Sequence, residues 1–401
     1  MWRTVKLGDI LSLQNGYAFK STEYEDDGYF VMRITNVQQG CISTHNPKYI
    51  RIDKGSNLEK FILDEGDILV SLTGDVGRVG VIENEHLPAA LNQRVARVTG
   101  VKRGLVNRDF LFAYMNSDAF RLQVEDFAHG AAQANVSTKD ILSINVSLPP
   151  LAEQQRIVAK LDAAFAEIDK AIEVAEFKRI EVERLKAALL STLLEGEGWE
   201  KAKLKDCCRV FVDGDWIETK DQSDKGIRLV QTGNIKIGKF AERHEKARYI
   251  SEETFKRLNC TEVKEGDILV SRLPEPVGRA CIIPRLHSRA ITAVDCTIIR
   301  TNKNLAPAYL NYYMQSTEYF ARVQEKVTGS TRQRVSRKKL GEVEVTIPPF
   351  VEQQRIVAKL DAAFSEIERA NASVCESKAH YQALKSAILA QELQPPQSEA
   401  A

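Results

Sequence analysis

Two stretches of the chain carry apolar residues at alternating steps of three and four. The first runs through Val158, Leu161, Phe165, Ile168, Ile172, Ala175, Val182, Leu189 and Leu193. The second runs through Val357, Leu360, Phe364, Ile367, Val374, Tyr381 and Ile388. This spacing is a heptad seam and predicts two long amphipathic helices. Arg179 and Lys186 interrupt the first seam, and Lys378 and Lys385 interrupt the second at matching places. Each stretch opens with two prolines, which end a strand and suit the first turn of a helix. Glu153 and Glu352 fall in that first turn, where a carboxylate favours the helix dipole. About 40 residues without Gly or Pro exceed an ordinary globular helix, so the two are expected to pack on each other.

The helix starts are copies. Pro149 to Ile168 reads PPLAEQQRIVAKLDAAFAEI, and Pro348 to Ile367 reads PPFVEQQRIVAKLDAAFSEI, 199 residues later. Preceding each copy is a region of short β-branched runs between Gly and Asp punctuation, which predicts strands. EGDILVS occurs at Glu65–Ser71 and at Glu265–Ser271, and Gly77-Arg78 is echoed by Gly278-Arg279. Asp109–Phe127 predicts a helical region, followed by a loop and a strand, ILSINVSL, that runs into Pro149. The duplication therefore covers a whole half, a globular unit plus a helix. The scaffold positions agree and most positions between them do not, as expected of one fold held twice with something variable displayed on it. The expected segments are 1–148, 149–197, 198–347 and 348–393, with a frayed tail at 394–401.

Composition bounds the class. A chain of 401 residues exceeds one core. With 43% hydrophobic and 28% charged residues it fits a water-soluble globular protein. No apolar run is long enough to span a bilayer, the N-terminus does not read as a signal peptide, and the seven cysteines have no metal-ligand spacing, so a cytoplasmic setting with reduced thiols is expected. The net charge of +1 hides an asymmetry. Residues 198–347 hold 28 Lys and Arg against 20 Asp and Glu, a net of +8, whereas residues 1–148 hold 16 against 18, a net of −2. The second unit thus has the basic character of a nucleic-acid binder.

Catalytic motifs fail on inspection. Gly233–Phe240, GNIKIGKF, has the frame of a phosphate loop, but Phe240 stands where a Ser or Thr must hold magnesium. Asp213, Asp215, Glu218 and Lys220 have roughly the spacing of a nuclease cluster without enough carboxylates for two metals. Pro348-Pro349-Phe350 lacks the Asn or Asp that an amino-methyltransferase motif needs before it. No glycine loop for a methyl-donor cofactor and no nucleophile elbow occurs. A binding protein without metal or cofactor is expected.

Recognition chemistry is concentrated in the loop before the last strand of each unit. In the second unit it offers Arg332, Gln333, Arg334, Arg337, Lys338 and Lys339 with no acid. Arg pairs with guanine or phosphate, Gln with adenine and Lys with phosphate. In the first unit it offers Gln133, Asn135, Ser137, Thr138 and Lys139, able to read bases but supplying little phosphate affinity.

The order of globular unit, PPxxEQQRIVxxLD helix, globular unit and PPxxEQQRIVxxLD helix resembles the specificity subunit of type I restriction–modification enzymes over nearly the whole chain. The resemblance implies an α+β fold of two mixed α/β target recognition domains in pseudo-twofold arrangement, joined by two antiparallel coiled-coil helices. Each domain would read one half of a split site in double-stranded DNA. The helices would space the halves and dock modification subunits, which methylate adenine. Glu153, Gln154, Arg156, Val158, Leu161 and Phe165, with Glu352, Gln353, Arg355, Val357, Leu360 and Phe364, are the expected coil and partner residues. Methyl donor and ATP would sit on the modification and restriction subunits, leaving this chain without chemistry of its own. The competing expectations are a coiled-coil protein adaptor without DNA specificity, and an enzyme using Gly233–Phe240.

Overall fold

The computed structural model describes residues 2–128, 134–329 and 333–395. Residues 396–401 of the expected tail therefore lie outside the described residues. Contacts divide the chain into two compact units, Met1–Ala175 with Glu376–Ala401, and Glu176–Cys375. Each unit thus holds one globular part and a segment of both long helices.

In the first unit, one antiparallel sheet has the order Ser12–Asn15, Val95–Thr99, Ile68–Ser71, Val79–Val81. A second sheet has the order Tyr49–Ile50, Tyr29–Met32, Ala89–Leu91, Ile62–Leu63, with its two middle strands parallel. Ile68–Ser71 is the expected strand of EGDILVS, and its four residues are all buried, which explains an unbroken apolar run rather than alternation. The first strand, Arg3–Lys6, pairs antiparallel with the last, Asn145–Leu148. That ribbon closes the globular part immediately before the prolines.

The second unit repeats this plan. Its antiparallel sheet has the order Cys208–Asp213, Cys296–Thr301, Ile268–Ser271, Ala280–Ile282. Its mixed sheet holds the parallel pair Ile227–Val230 and Ala290–Thr292. Glu200–Lys203 pairs with Glu344–Ile347 as the closing ribbon.

One expectation is refined and one is corrected. The helical region at Asp109–Phe127 is two helices, Arg108–Met115 and Asp118–Ala128. Buried Ser117 separates them, donating its hydroxyl to Tyr114 O at 2.6 Å and accepting from Phe120 N at 3.3 Å. Ser316 makes the same break in the second unit. The strand expected at ILSINVSL begins as helix: Thr138–Ser143 is helical behind a Ser137 N-cap, and only Asn145–Leu148 is strand. The capping box formed by Ser137 and Asp140 overrides the β-branched residues that follow.

The long helices are Leu151–Leu194 and Phe350–Glu392. They run antiparallel within each unit. In the first, Lys160 meets Glu392 and Asp169 meets Lys385; in the second, Glu183 meets Asn371 and Lys186 meets Phe364. Leu161 and Leu389 join the core of the first unit with Ile157, and Leu190, Leu194, Ile356 and Leu360 join that of the second. Each such side chain contributes about 1.5–3 kcal/mol by leaving water. The buried positions include Ile157 and Ile356, one residue before the expected seam positions Val158 and Val357, which are half-buried. The seam residues therefore pack on the globular part as well as on the facing helix.

Candidate nucleic-acid interface

Three loops of the second unit are tied together by two arginines. Arg279 is 7% exposed and donates to four backbone carbonyls: Ile235 at 2.8 Å, Thr232 at 3.0 Å, Leu273 at 2.7 Å and Pro276 at 3.1 Å. Burial pulls its guanidinium below the usual arginine value. Arg272 donates to Val335 O at 3.3 Å and Val294 O at 2.5 Å, and its Nε lies 3.3 Å from Asp213. The loops around 232–235, 273–276 and 333–336 therefore form one cluster. The Gly-Arg turn requires its glycine: Gly278 has φ +90°, and a Cβ there would meet Val323 at 2.9 Å. Gly77 has φ +77° and would meet Val124 at 3.0 Å.

The first unit builds the same cluster differently. Gly74 N donates to Ala134 O at 3.0 Å, and Thr73 donates to Asn135 Oδ1 at 3.1 Å. Arg78 pairs with Asp75 and donates to Gln38 at 3.2 Å. Leu72, in the core, stands where the second unit has Arg272. Val136 N donates to Leu72 O, as Val335 N donates to Arg272 O.

The phosphate-loop lookalike is a closed turn in this cluster. Asn234, 3% exposed, accepts from Gln231 N at 3.0 Å and donates to Ala241 O at 2.9 Å. Ile235 then bridges Phe240, and the next α-helix begins only at Glu252, past a strand. The first unit has the same turn: fully buried Asn36 accepts from Arg33 N at 3.3 Å and donates to Ser43 O at 2.9 Å. This second, shorter repeat was missed in the sequence; an Asn followed by a β-branched residue, two variable positions and Gly marks both copies at Asn36–Gly40 and Asn234–Gly238. The nuclease-like carboxylates are dispersed. Asp213 serves Arg272 and Arg337, Asp215 accepts from Thr261 N at 3.0 Å, and Glu218 pairs with Lys220. Among the described residues no three His, Cys, Asp or Glu gather as a metal site.

The expected base-reading residues fare unevenly. Gln133 and Arg332 lie outside the described residues. Asn135 is exposed, with its carboxamide oxygen taken by Thr73. Ser137 is a helix cap: its hydroxyl accepts from Asp140 N at 3.2 Å and donates to the Asp140 carboxylate at 2.6 Å, holding that carboxyl below its usual range. Its hydroxyl donor is thereby taken by the cap, and Lys139 beside it is exposed. Gln333 is exposed. Arg334 lies 3.5 Å from Asp295, and Arg337 lies 3.5 Å from Asp213 and donates to Phe211 O at 3.0 Å. The loop without a local acid is thus partly neutralised by acids distant in sequence. Lys338 and Lys339 are exposed, and no carboxylate is paired with either among the described residues.

Ser336 caps the helix Arg337–Gly341, so Arg337, Lys338 and Lys339 occupy its first three positions. Cations there oppose the helix dipole. The equivalent third position in the first unit is Asp140, the favourable choice. A local conflict of this kind is expected where a partner supplies the opposite charge.

Of the expected coil and partner residues, Val158, Leu161 and Phe165 pack in the first unit, and Val357, Leu360 and Phe364 in the second. Glu153 pairs with Arg156, and Glu352 with Arg355, within the first turn of each helix. Gln154 and Gln353 are corrected: both are fully buried within their own unit and face no partner surface.

A family model described as the type I restriction modification DNA specificity domain matches residues 1–176 and again 196–374. The chain belongs to this family. It is 24% identical over 97% of its length to the EcoBI specificity subunit of Escherichia coli, covering 85% of that protein, and equally to the EcoKI specificity subunit of strain K12, covering 88%. The MjaVIII specificity subunit of Methanocaldococcus jannaschii is 28% identical over 49% of the chain, and the match spans 46% of that relative's length. A chain from a structure of complex assembly and conformational transition in a type I R-M system shares the fold with a TM-score of 0.73, at 19% identity, over 98% of this chain and 97% of that one. The HsdS subunit of Thermoanaerobacter tengcongensis gives 0.50, also at 19% identity, over 98% and 96%. Among the described residues no helix is long and apolar enough to cross a membrane.

Proposed function

We propose that this chain is the DNA-reading subunit of a type I restriction–modification complex and performs no chemistry alone. Residues 1–148 and 198–347 each read one half of a bipartite double-stranded target. Residues 149–197 and 348–393 space the halves and dock modification subunits that methylate adenine, and restriction subunits join that assembly. Methyl donor and ATP belong to those partners, and the complex works in the cytoplasm.

One observation carries this reading: a single scaffold occurs twice, and the loop clusters it presents differ in charge and in their locking residues. Arg272 against Leu72, and Lys339 against Asp140, are changes on an unchanged frame. A coiled-coil adaptor has no use for two such loop clusters.

Binding of the chain with its modification subunits to target DNA, measured across ionic strengths, tests it. Lys338→Ala and Lys339→Ala should each lower the salt slope by about one. Arg334→Ala and Arg337→Ala should lower it less, because Asp295 and Asp213 already neutralise them in part. Binding without salt dependence or sequence preference contradicts the reading.

A further inference from the structure

The two glutamines at the helix starts make matching bonds in units whose surroundings differ. Gln154 accepts from Asn107 N at 2.7 Å and donates to Leu105 O at 3.0 Å and Pro149 O at 2.7 Å. Gln353 accepts from Ala306 N at 2.8 Å and donates to Asn304 O at 2.8 Å and Pro348 O at 2.9 Å. Both side chains are fully buried. The gripped loops read Leu105-Val106-Asn107 and Asn304-Leu305-Ala306, which differ at every equivalent position. The bonds survive because every partner is a backbone group.

Each loop leads into a helix buried in its domain, through Phe110, Leu111 and Tyr114 in one and Tyr309, Leu310 and Tyr313 in the other. Each glutamine therefore joins three segments: its own long helix, the proline turn before it, and the entry to a core helix. One turn on, Ile157 and Ile356 already hold the helix by apolar burial. Apolar contact is non-directional. It resists separation but fixes direction poorly, whereas three bonds from one planar carboxamide to two backbone segments admit one orientation.

We propose that Gln154 and Gln353 are positioning residues that set the direction in which each spacer helix leaves its recognition domain, and through it the length of the gap between half-sites. The proposal rests on the bipartite reading above. Leverage makes the direction consequential. A helix rises about 1.5 Å per residue, so a tilt of about 5° at one end displaces a point about 60 Å away by roughly 5 Å. That exceeds the rise of one base pair, about 3.4 Å.

The test uses the complex with its modification subunits and a duplex library holding both parental half-sites at gaps from two base pairs shorter to two longer. Adenine methylation is read by sequencing. Gln154→Met and Gln353→Met keep the volume and remove the bonds. Ala306→Pro removes the donor to Gln353 and sets its ring where that hydrogen pointed, which displaces the carboxamide, at a residue whose φ of −70° suits proline. Ile141→Val, in the first core, is the stability control. We expect the preference for the parental gap to fall at least fivefold in both Met variants and less in Ala306→Pro, with half-site sequences unchanged. Ile141→Val should lower the melting temperature and leave the gap preference intact. Folded variants that keep the parental gap preference overturn the proposal alone, as does a gap preference that tracks melting temperature in the control. Should a Met variant not fold, Ala306→Pro decides the matter. A parent complex with no two-part target overturns the function reading and this proposal with it.

Discussion

The ammonium of Lys186 lies 4.9 Å from the ring centroid of Phe364, and that of Lys385 lies 5.0 Å from Phe165. Two of the lysines that interrupt the heptad pattern are thus part of the helix pairing, each set on the ring that the duplicated stretch provides. A cation over a partly exposed aromatic face contributes about 0.5–1 kcal/mol. A double-mutant cycle of Lys186→Met and Phe364→Leu, read by denaturant unfolding, should give a coupling of that size. The cycle at Lys385 and Phe165 should give a similar coupling, because the contact of Lys385 with Asp169 at 2.5 Å is lost in both backgrounds and cancels. Additive effects in both cycles would leave the lysines as plain interruptions.

Arg279 and Arg78 occupy equivalent turns with unequal burial. Arg279→Met strands four carbonyls and should cost roughly 2–4 kcal/mol of stability. Arg78→Met, at a side chain 30% exposed and paired with exposed Asp75, should cost less than about 1 kcal/mol. Equal melting-temperature losses in the two variants would show that the four carbonyl bonds do not lock the loops.

Glu342 predicts a pH dependence. Lys203 and Lys205 flank it and hold its carboxyl down at about 2. A carboxyl depressed on folding contributes stability above its unfolded value, and that contribution is lost as pH falls toward the folded value. Glu342→Gln should therefore lower the melting temperature at pH 7, with the difference from the parent shrinking from about pH 4.5 toward pH 2. Both lysines are exposed, so salt should also shrink the difference. A difference that grows on acidification would reverse the assigned sign.

Much of the fold was legible because it repeats. The helix starts, the EGDILVS strands and the Gly-Arg turns recur at offsets of 199, 200 and 201 residues, and physical reasons for each can be read locally. What escaped was set by tertiary contact or by short polar signals. Asp213 and Asp295 reach the basic loop from a strand and a turn remote in sequence, so a local charge count overstated it. Ser137 carried a cap signal in Asp140 three residues on, but the apolar residues that follow masked it. Gln154 and Gln353 sit at helix positions that read as surface, and only the backbone around them shows why they are buried. The Asn36 and Asn234 turns were readable, had the phosphate-loop frame been compared with the other half of the chain.

The most direct test of the account replaces residues 198–347 by a second copy of 1–148 and leaves both long helices as they are. The closing ribbons pair at matching registers, Arg3 with Leu148 and Glu200 with Ile347, so the exchange joins equivalent backbone. Methylation-site sequencing of the complex carrying this chain reads the outcome. The account predicts a two-part target in which the half-site of the first unit occurs twice, the half-site of the second is lost, and the gap is unchanged. A target that keeps the parental second half-site, or methylation with no two-part pattern in a folded complex, would contradict it.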